Sequence, residues 1–398
     1  MQQSKILYLT QFPHIGGGET ILLSLIKSLD RRHFKPIVIL PQKGQLSQKL
    51  KSLKINTYYL KLNPYLARTF FVPGASPFDL YHLIRLLQKI KPDLIHSNHL
   101  TLAIYAGSVA KLLNLPVVAT AHGPWDSIYF YQDLITNLFV DKILANTPQT
   151  AQSLTRRKII SRSKVNIVPF GIDTSLFKPV YPAPNGARAT SYQKQETRKA
   201  LNLPQNDLVI TIVGRLDQQK DHLTFLKAAR IVEKKVKNAL FLIVGSKLGD
   251  FSATKNSYYL QVKNYLKDNP DLKKRIRFTG FVNPDLMPQV YQASDILVST
   301  SPSESFGLAL AEGAACGLPT VATSSKNSHL IVKDGQNGFL VPPKSPDLLA
   351  QKILTLATNL RLRQKFGKFA RSHIIKNFTL ERYNKQVQDQ YLELLAFD

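Results

Sequence analysis

Cysteine is nearly missing from this sequence: Cys316 stands alone among 398 residues. A single thiol excludes an internal disulfide framework and suits a reducing compartment. Acidic residues are scarce as well, 26 Asp and Glu against 53 Lys and Arg, which leaves a formal net charge of +27. Long apolar runs are lacking. The least charged stretch, Leu94 to Ala110, is broken by His, Ser and Asn and is too short to span a bilayer. The apolar run in the opening MQQSKILYLT is shorter than the core of a secretory signal. The expectation from these absences is a soluble, cytoplasmic protein.

The basic excess is spread evenly. Residues 1–177 hold 21 Lys and Arg against 8 Asp and Glu, and the remainder 32 against 18, so neither half is a basic tail. Such a field favours anionic partners: nucleic acid, an acidic membrane surface or phosphorylated ligands. A composition-wide bias towards lysine and arginine accounts for it equally well. Zinc-finger spacing, an RNP-like aromatic motif and a clear recognition helix are all missing, so nucleic acid is not expected as a partner. Peripheral contact with an anionic membrane stays open.

With 44% hydrophobic and 20% charged residues the chain is a folded one. Its length exceeds the usual size of one core and suits two domains. Short apolar runs alternate with amphipathic stretches. Ile6–Leu9, Pro36–Leu40, Thr57–Leu60, Leu94–His96, Val117–Ala121 and Ile143–Ala145 read as buried strands, with helical patterns at Thr20–Leu29, Leu80–Ile90 and Leu102–Leu113 between them. Continuously apolar strands joined by helices imply parallel β-α units with both sheet faces covered. Lys178 to Glu196 carries prolines and few large aliphatics and reads as a linker or surface insertion. Alternation resumes with strands at Val209–Val213, Leu240–Val244, Arg277–Phe281, Ile296–Ser299 and Thr320–Ala322. Helical patterns at His222–Lys235, Tyr258–Lys267, Leu308–Cys316 and Asp347–Thr358 fill the gaps, and an amphipathic helix at Leu380–Leu395 ends the pattern. Two consecutive doubly wound α/β units, with a seam near residue 175, are the simplest architecture.

Four segments carry residues suited to chemistry. Gly16-Gly17-Gly18-Glu19 follows the first strand and opens the first helix. Glycines there let backbone approach a ligand, and a helix N-terminus favours anions. A plain tight turn explains them too, since the spacing is not the dinucleotide fingerprint. Gly214-Arg215-Leu216 and Lys220 stand at the end of the second half's first strand, and ligands bind at the carboxyl ends of such strands. Arg215 and Lys220 together would neutralise a diphosphate without a metal; two solvated cations are the plainer reading. The richest segment is Pro302-Ser303-Glu304-Ser305-Phe306-Gly307-Leu308 followed by Glu312. It aims helix N-terminal amides at an anion and offers two carboxylates to vicinal hydroxyls, unless the two glutamates are unrelated surface residues. His122-Gly123 closes Val117–Ala121, where a histidine either meets a ligand or serves packing.

Together the segments resemble glycosyltransferase family 4, retaining enzymes of the GT-B fold. The resemblance runs through GGGE, AHG, VPFGID at Val168–Asp173, GRLDQQKD at Gly214–Asp221 and FTGFV at Phe278–Val282. It continues with SESFGLALAE at Ser303–Glu312, GLPTVAT at Gly317–Thr323 and DGQNGFLVP at Asp334–Pro342, in the family's order over nearly the whole chain. It implies two Rossmann-like domains facing a central cleft. Residues 1–177 would form the acceptor side, with residues 378–398 packing back onto it, and residues 178–377 would bind a nucleotide-sugar. Arg215 and Lys220 would hold the donor diphosphate, Glu304 the sugar and Glu312 the ribose. The Phe306, Gly307 and Leu308 amides would bind phosphate and sugar. Gly17 and Gly18 would approach the diphosphate from the other domain, His122 would touch the sugar near its reacting carbon, and Val282 would lie near the base. No Asp-x-Asp triplet occurs, which argues against the metal-dependent transferase architecture, so neither cofactor nor metal is expected.

The function implied is transfer of a hexose-type sugar from a nucleotide-sugar, a UDP-sugar first and GDP-mannose next, to a glycan or lipid-linked acceptor in cell-envelope polysaccharide or glycolipid synthesis. Three rival readings compete with it. A glycoside hydrolase also needs paired carboxylates but leaves the cationic pair and the glycine loop unexplained. A phosphorylase or epimerase would use the same fold, and a non-catalytic nucleotide-sugar-binding protein would use the same donor site. For the acceptor side the aromatic clusters Tyr65–Phe71, Trp125-Asp126 and Tyr129-Phe130-Tyr131 are candidates, or else ordinary packing under loops.

Overall fold

A computed structural model describes residues 3–62, 77–125, 130–180, 188–245 and 257–396. The chain divides into two compact units, Met1–Gly171 with Leu380–Asp398, and Ile172–Thr379. The sequence pattern places these divisions at residues 177 and 378. The Tyr65–Phe71 cluster, Asp126 and Tyr129 lie outside the described residues.

The first unit is built on seven parallel strands: β1 (Ser4–Leu9), β2 (Phe34–Leu40), β3 (Asn56–Tyr59), β4 (Leu94–Ser97), β5 (Val117–Ala121), β6 (Lys142–Ala145) and β7 (Val165–Ile167). Their order across the sheet is β3-β2-β1-β4-β5-β6-β7. Helices α1 (Gly17–Ser28), α2 (Gln45–Ser52), α3 (Pro77–Ile90), α4 (Leu100–Leu112), α5 (Phe130–Phe139) and α6 (Pro148–Thr155) connect them. Strands such as β1 and β5 are buried along most of their length, because helices cover both faces of a parallel sheet. One contiguous core joins Leu7, Leu9, Ile37, Ile95 and Ile143 of the sheet to Leu83, Leu87 and Tyr105 of α3 and α4.

The second unit repeats the plan with six parallel strands: β8 (Leu208–Val213), β9 (Ala239–Val244), β10 (Ile276–Gly280), β11 (Ile296–Ser299), β12 (Thr320–Thr323) and β13 (Gly338–Val341). Their order is β10-β9-β8-β11-β12-β13. Helices α7 (Arg188–Ala200), α8 (His222–Lys235), α9 (Ser257–Lys267), α10 (Pro270–Arg275), α11 (Met287–Ala293), α12 (Leu308–Ala315), α13 (Ser328–Ile331), α14 (Pro346–Ala357) and α15 (Leu360–Asn377) pack around it. The expected linker at 178–196 is corrected in its second part, where α7 begins at Arg188. Arg198 explains why a helix so poor in aliphatics is ordered. Its guanidinium is buried and spends its donors on Ala293 O, Gln205 O, Asp207 O and the Asp295 carboxylate.

The last helix, α16 (Leu380–Leu395), belongs to the first unit. It buries Tyr383, Val387 and Tyr391. The Tyr391 hydroxyl meets Nδ1 of His96, and Gln388 accepts from the Asp30 amide at 2.9 Å. In both units the order of strands reverses direction beside the first strand of the set, between β1 and β4 and between β8 and β11. Ligands of doubly wound sheets bind at the carboxyl ends of the strands flanking such a switch.

Candidate active site

In the second unit the loop leaving β8 is shaped by what glycine omits. A Cβ at Gly214 would stand 3.0 Å from Cγ of Lys220, so the lysine stem lies directly on the backbone. Gly245, at the end of β9, approaches so closely that a Cβ would come within 2.0 Å of the Gly214 carbonyl oxygen. Asp217 organises the loop from within: it accepts from the Lys220 amide at 3.0 Å and from Nε of Arg215 at 3.0 Å. Asp221 ends the turn in the left-handed region at φ 46° and caps α8 by accepting from the Thr224 amide and hydroxyl. Thr300, just after β11, ties the two loops by donating its hydroxyl to the Lys220 carbonyl at 2.8 Å.

Across the switch, Glu304 follows β11. Its Oε1 lies 2.7 Å from Nζ of Lys220, with the two side chains 12% and 22% exposed. Asn327 holds the segment in place by donating to the carbonyls of Glu304 at 2.8 Å and Ser305 at 2.6 Å. Gly307 is the N-cap of α12 in a left-handed conformation, φ 85°, where a side chain would be strained. The ring of Phe306 is buried edge-on against Phe378 at 5.6 Å. Leu308 opens the helix half-buried. Glu312, on the second turn, accepts from the Tyr291 hydroxyl at 2.7 Å. Burial pushes its carboxyl up to about 7, against the lowering effect of the tyrosine bond.

Of the residues singled out by sequence, Lys220 and Glu304 are brought together directly. Arg215 is in the same loop, but it is largely exposed and turned towards Asp217 and Gln219 rather than Glu304. Val282 follows β10, half-buried against the apolar cluster that includes residues of β8, β9 and α11.

In the first unit the glycine loop and His122 meet. A Cβ on Gly18 would lie 3.1 Å from Cε1 of His122, so the imidazole rests on the glycine backbone at the N-terminus of α1. Nε2 of His122 bonds the Asn98 carbonyl at 2.5 Å; a carbonyl only accepts, so this nitrogen carries the hydrogen. Burial, aided by repulsion from His99, pushes the His122 pKa down to about 4, so the ring is neutral at pH 7. Glu19 is buried beneath the loop and accepts from the Gly16 amide at 3.3 Å, the Thr10 hydroxyl at 3.2 Å and Nε2 of His99 at 3.2 Å. Burial alone would raise its pKa, but the His99 bond and charge outweigh burial and hold it low. Gly17 starts the helix beside this network.

Glu19, Asn98, His99, Asp217, Tyr291 and Asn327 were not assigned roles from sequence. They support other residues, and isolated polar residues carry no spacing that would reveal such a role. Trp125 has a structural place, its indole donating to Asp133 at 2.9 Å, while Phe130 is exposed and Tyr131 half-buried.

The cationic loop and the amino end of α12 suit an anion, and the two carboxylates suit hydroxyls. Comparison with known proteins gives the family. The model of Glycosyltransferase Family 4 matches residues 15–176, and that of Glycosyl transferases group 1 matches residues 193–373. The chain is 24% identical to an Escherichia coli UDP-Gal:alpha-D-GlcNAc-diphosphoundecaprenol alpha-1,3-galactosyltransferase, over 98% of this chain and 97% of that one. It is 27% identical to D-inositol 3-phosphate glycosyltransferase of Corynebacterium diphtheriae, over 82% and 75%. Among solved structures, Anabaena HepE in complex with UDP superposes with a TM-score of 0.80 at 21% identity, over 98% of this chain and 100% of that one. HepE has also been solved with UDP-glucose. The likeness to HepE shows the GT-B fold, two parallel Rossmann-like sheets. With a family model matching each half, this chain belongs to the group 1 glycosyltransferases of family 4 and is an enzyme of the glycosyltransferase class.

Proposed function

We propose that this enzyme transfers a hexose from a UDP-sugar, with GDP-mannose the second choice, to a lipid-linked or glycan acceptor in cell-envelope polysaccharide or glycolipid synthesis, with retention of anomeric configuration and without a metal. The observation that carries most weight is the 2.7 Å ion pair of Lys220 and Glu304 across the β8/β11 switch. Breaking an anomeric–phosphate bond develops positive charge on the sugar and negative charge on the leaving diphosphate. Lys220, Arg215 and the amides of Phe306, Gly307 and Leu308 address the negative charge, and Glu304 addresses the sugar. Glu312 takes the ribose hydroxyls, and Val282 lies by the base. Gly17 and Gly18 offer backbone to the diphosphate. Neutral His122 keeps Nδ1 as an acceptor for a sugar hydroxyl. In the free enzyme Lys220 is paired with Glu304, so a diphosphate would take over the lysine and release the carboxylate to the sugar. The preference for UDP draws support from HepE, solved with UDP and UDP-glucose, and the lipid-linked acceptor from the Escherichia coli relative.

Thermal-shift scans with UDP, GDP and ADP test the donor. Saturation near a hundred times the dissociation constant stabilises the folded state by about 2.7 kcal/mol. A response to UDP, followed by transfer from UDP-galactose or UDP-glucose to an undecaprenyl-diphosphate sugar, is the expected result. NMR of the product's anomeric proton then reports retention. No response to any nucleotide, in a protein that unfolds cooperatively, would remove the donor site.

A further inference from the structure

Helix α5 is turned inside out. It buries Asp133 and Thr136, 2% and 0% exposed, and presents Phe130, Leu134 and Leu138 to solvent at 66%, 53% and 58% exposure. The three recur every fourth residue, so they form one stripe about 12 Å long. Its rotation is fixed by bonds on the inner side. The Trp125 indole donates to Asp133 at 2.9 Å, and Arg157 pairs with the same carboxylate at 3.3 Å. Leu112, 77% exposed, ends the neighbouring α4, which crosses α5 closely at Gly107 and Phe139. A helix that hides an aspartate and shows its leucines is shaped for a second, non-aqueous partner.

The segment beside α5 names that partner's charge. Between Asp141 and Asp173 the chain holds no acidic residue and six cations. Five of the cations, Arg156, Arg157, Lys158, Arg162 and Lys164, follow α6. The segment is fastened to α5 where Ser161 donates its amide to Asn137 Oδ1 at 2.9 Å, and where Lys164 donates to the carbonyls of Asn137 and Val140. Arg156, Lys158 and Arg162 stay exposed. A second copy of the chain would bring the same cations against each other. An anionic lipid surface offers both an apolar layer for the stripe and negative headgroups for the segment.

We propose that the outer face of α5, with the Arg156–Lys164 segment beside it, docks this enzyme on an anionic lipid bilayer. The docking face shares no residue with the donor site, so it stands or falls apart from the donor assignment.

The full chain is tested by co-sedimentation with phosphatidylcholine vesicles, with and without about one-third phosphatidylglycerol. Binding only to the anionic vesicles, reversed by high salt, is expected. Leu134→Gln/Leu138→Gln should weaken it about tenfold or more, since two leucines leave the acyl boundary. Arg156→Ser/Lys158→Ser should weaken it and flatten its salt dependence. Neither pair should change the thermal shift produced by UDP, which reports the fold and the donor site. No vesicle binding, equal binding to neutral vesicles, or variants that bind like wild type would overturn the proposal. So would a wild-type dimer in light scattering that Leu134→Gln/Leu138→Gln splits, because the face would then belong to a second copy.

Discussion

The two sheets of this enzyme carry candidate residues at the carboxyl ends of strands at or next to the switch, but hold them by different means. In the second unit charge does the holding: Lys220 against Glu304, Arg215 against Asp217. In the first unit the residues at the surface of the site are glycines and a neutral histidine, positioned by contact and by one backbone bond, with the ionised Glu19 buried underneath. Paired charges can be traded for those of an incoming polyanion. Glycine backbone and a neutral imidazole respond instead to shape and to the direction of hydrogen bonds. A donor diphosphate of fixed chemistry suits the first arrangement, and a sugar ring suits the second.

Removing the charge should therefore be the most damaging change. Lys220→Ala is expected to cost about a thousandfold in kcat/KM and Glu304→Gln about a hundredfold, with circular dichroism unchanged. Turnover near wild type in either variant would dissolve the contrast between the units. In the first unit the corresponding injury is steric. Gly18→Ala sets a methyl 3.1 Å from the His122 ring and should lower kcat/KM by about tenfold to a hundredfold without loss of stability. An unaffected enzyme would mean that the imidazole position does not matter to the sugar. Glu312→Gln keeps an acceptor for Tyr291, so its effect should be milder and pH-dependent. With the carboxyl at about 7, a loss of about tenfold is expected at pH 8 and less at pH 6, read as KM for the donor. The same loss at both pH values would place the ribose elsewhere.

The smallest effect is on stability. Burial pushes His96 down to about 3 and His122 down to about 4. Between pH 6.5 and 4 the unfolded histidines bind protons that the folded ones do not, so the first unit loses stability as pH falls through that window. In the second unit His222, pushed down to about 4 by burial, acts in the same direction. Glu312 opposes it there: folded, it takes its proton near pH 7, ahead of an unfolded carboxyl, and so contributes stability as pH falls. Hydrogen exchange at pH 7 and pH 5 should show β4 and β5 losing protection over β11 and α12 by on the order of 1 kcal/mol. Equal losses would leave the units electrostatically alike.

Most of the fold could be read from apolar runs, because parallel strands buried on both faces have no polar alternation to obscure them. Val117–Ala121 and Ile296–Ser299 begin and end where the pattern places them. One edge strand of each sheet escaped notice, β7 and β13, whereas the opposite edges, β3 and β10, were read within a residue. In β7, Val165-Asn166-Ile167 is short, partly exposed and interrupted by asparagine, and β13 starts on Gly338, whose absent Cβ lets it pass 2.3 Å from the Thr320 carbonyl oxygen. Helix α7 escaped because its order comes from Arg198, a residue counted as surface by composition. At the site the same division holds. Lys220, Glu304 and Glu312 stand in recognisable motifs, whereas Asn327 and Asn98 act through backbone carbonyls that no side-chain pattern encodes.

The return of α16 to the first sheet bears on how the enzyme is made. Residues 172–379 form a continuous stretch and can close their own core as soon as they leave the ribosome. The first unit emerges earlier but stays unfinished, with His96 lacking Tyr391 until the final residues arrive, roughly 10–40 s later at ordinary elongation rates. The part of the enzyme that begins first is thus completed after the second, and a chain truncated before Leu380 would hold a complete second unit and an open first one.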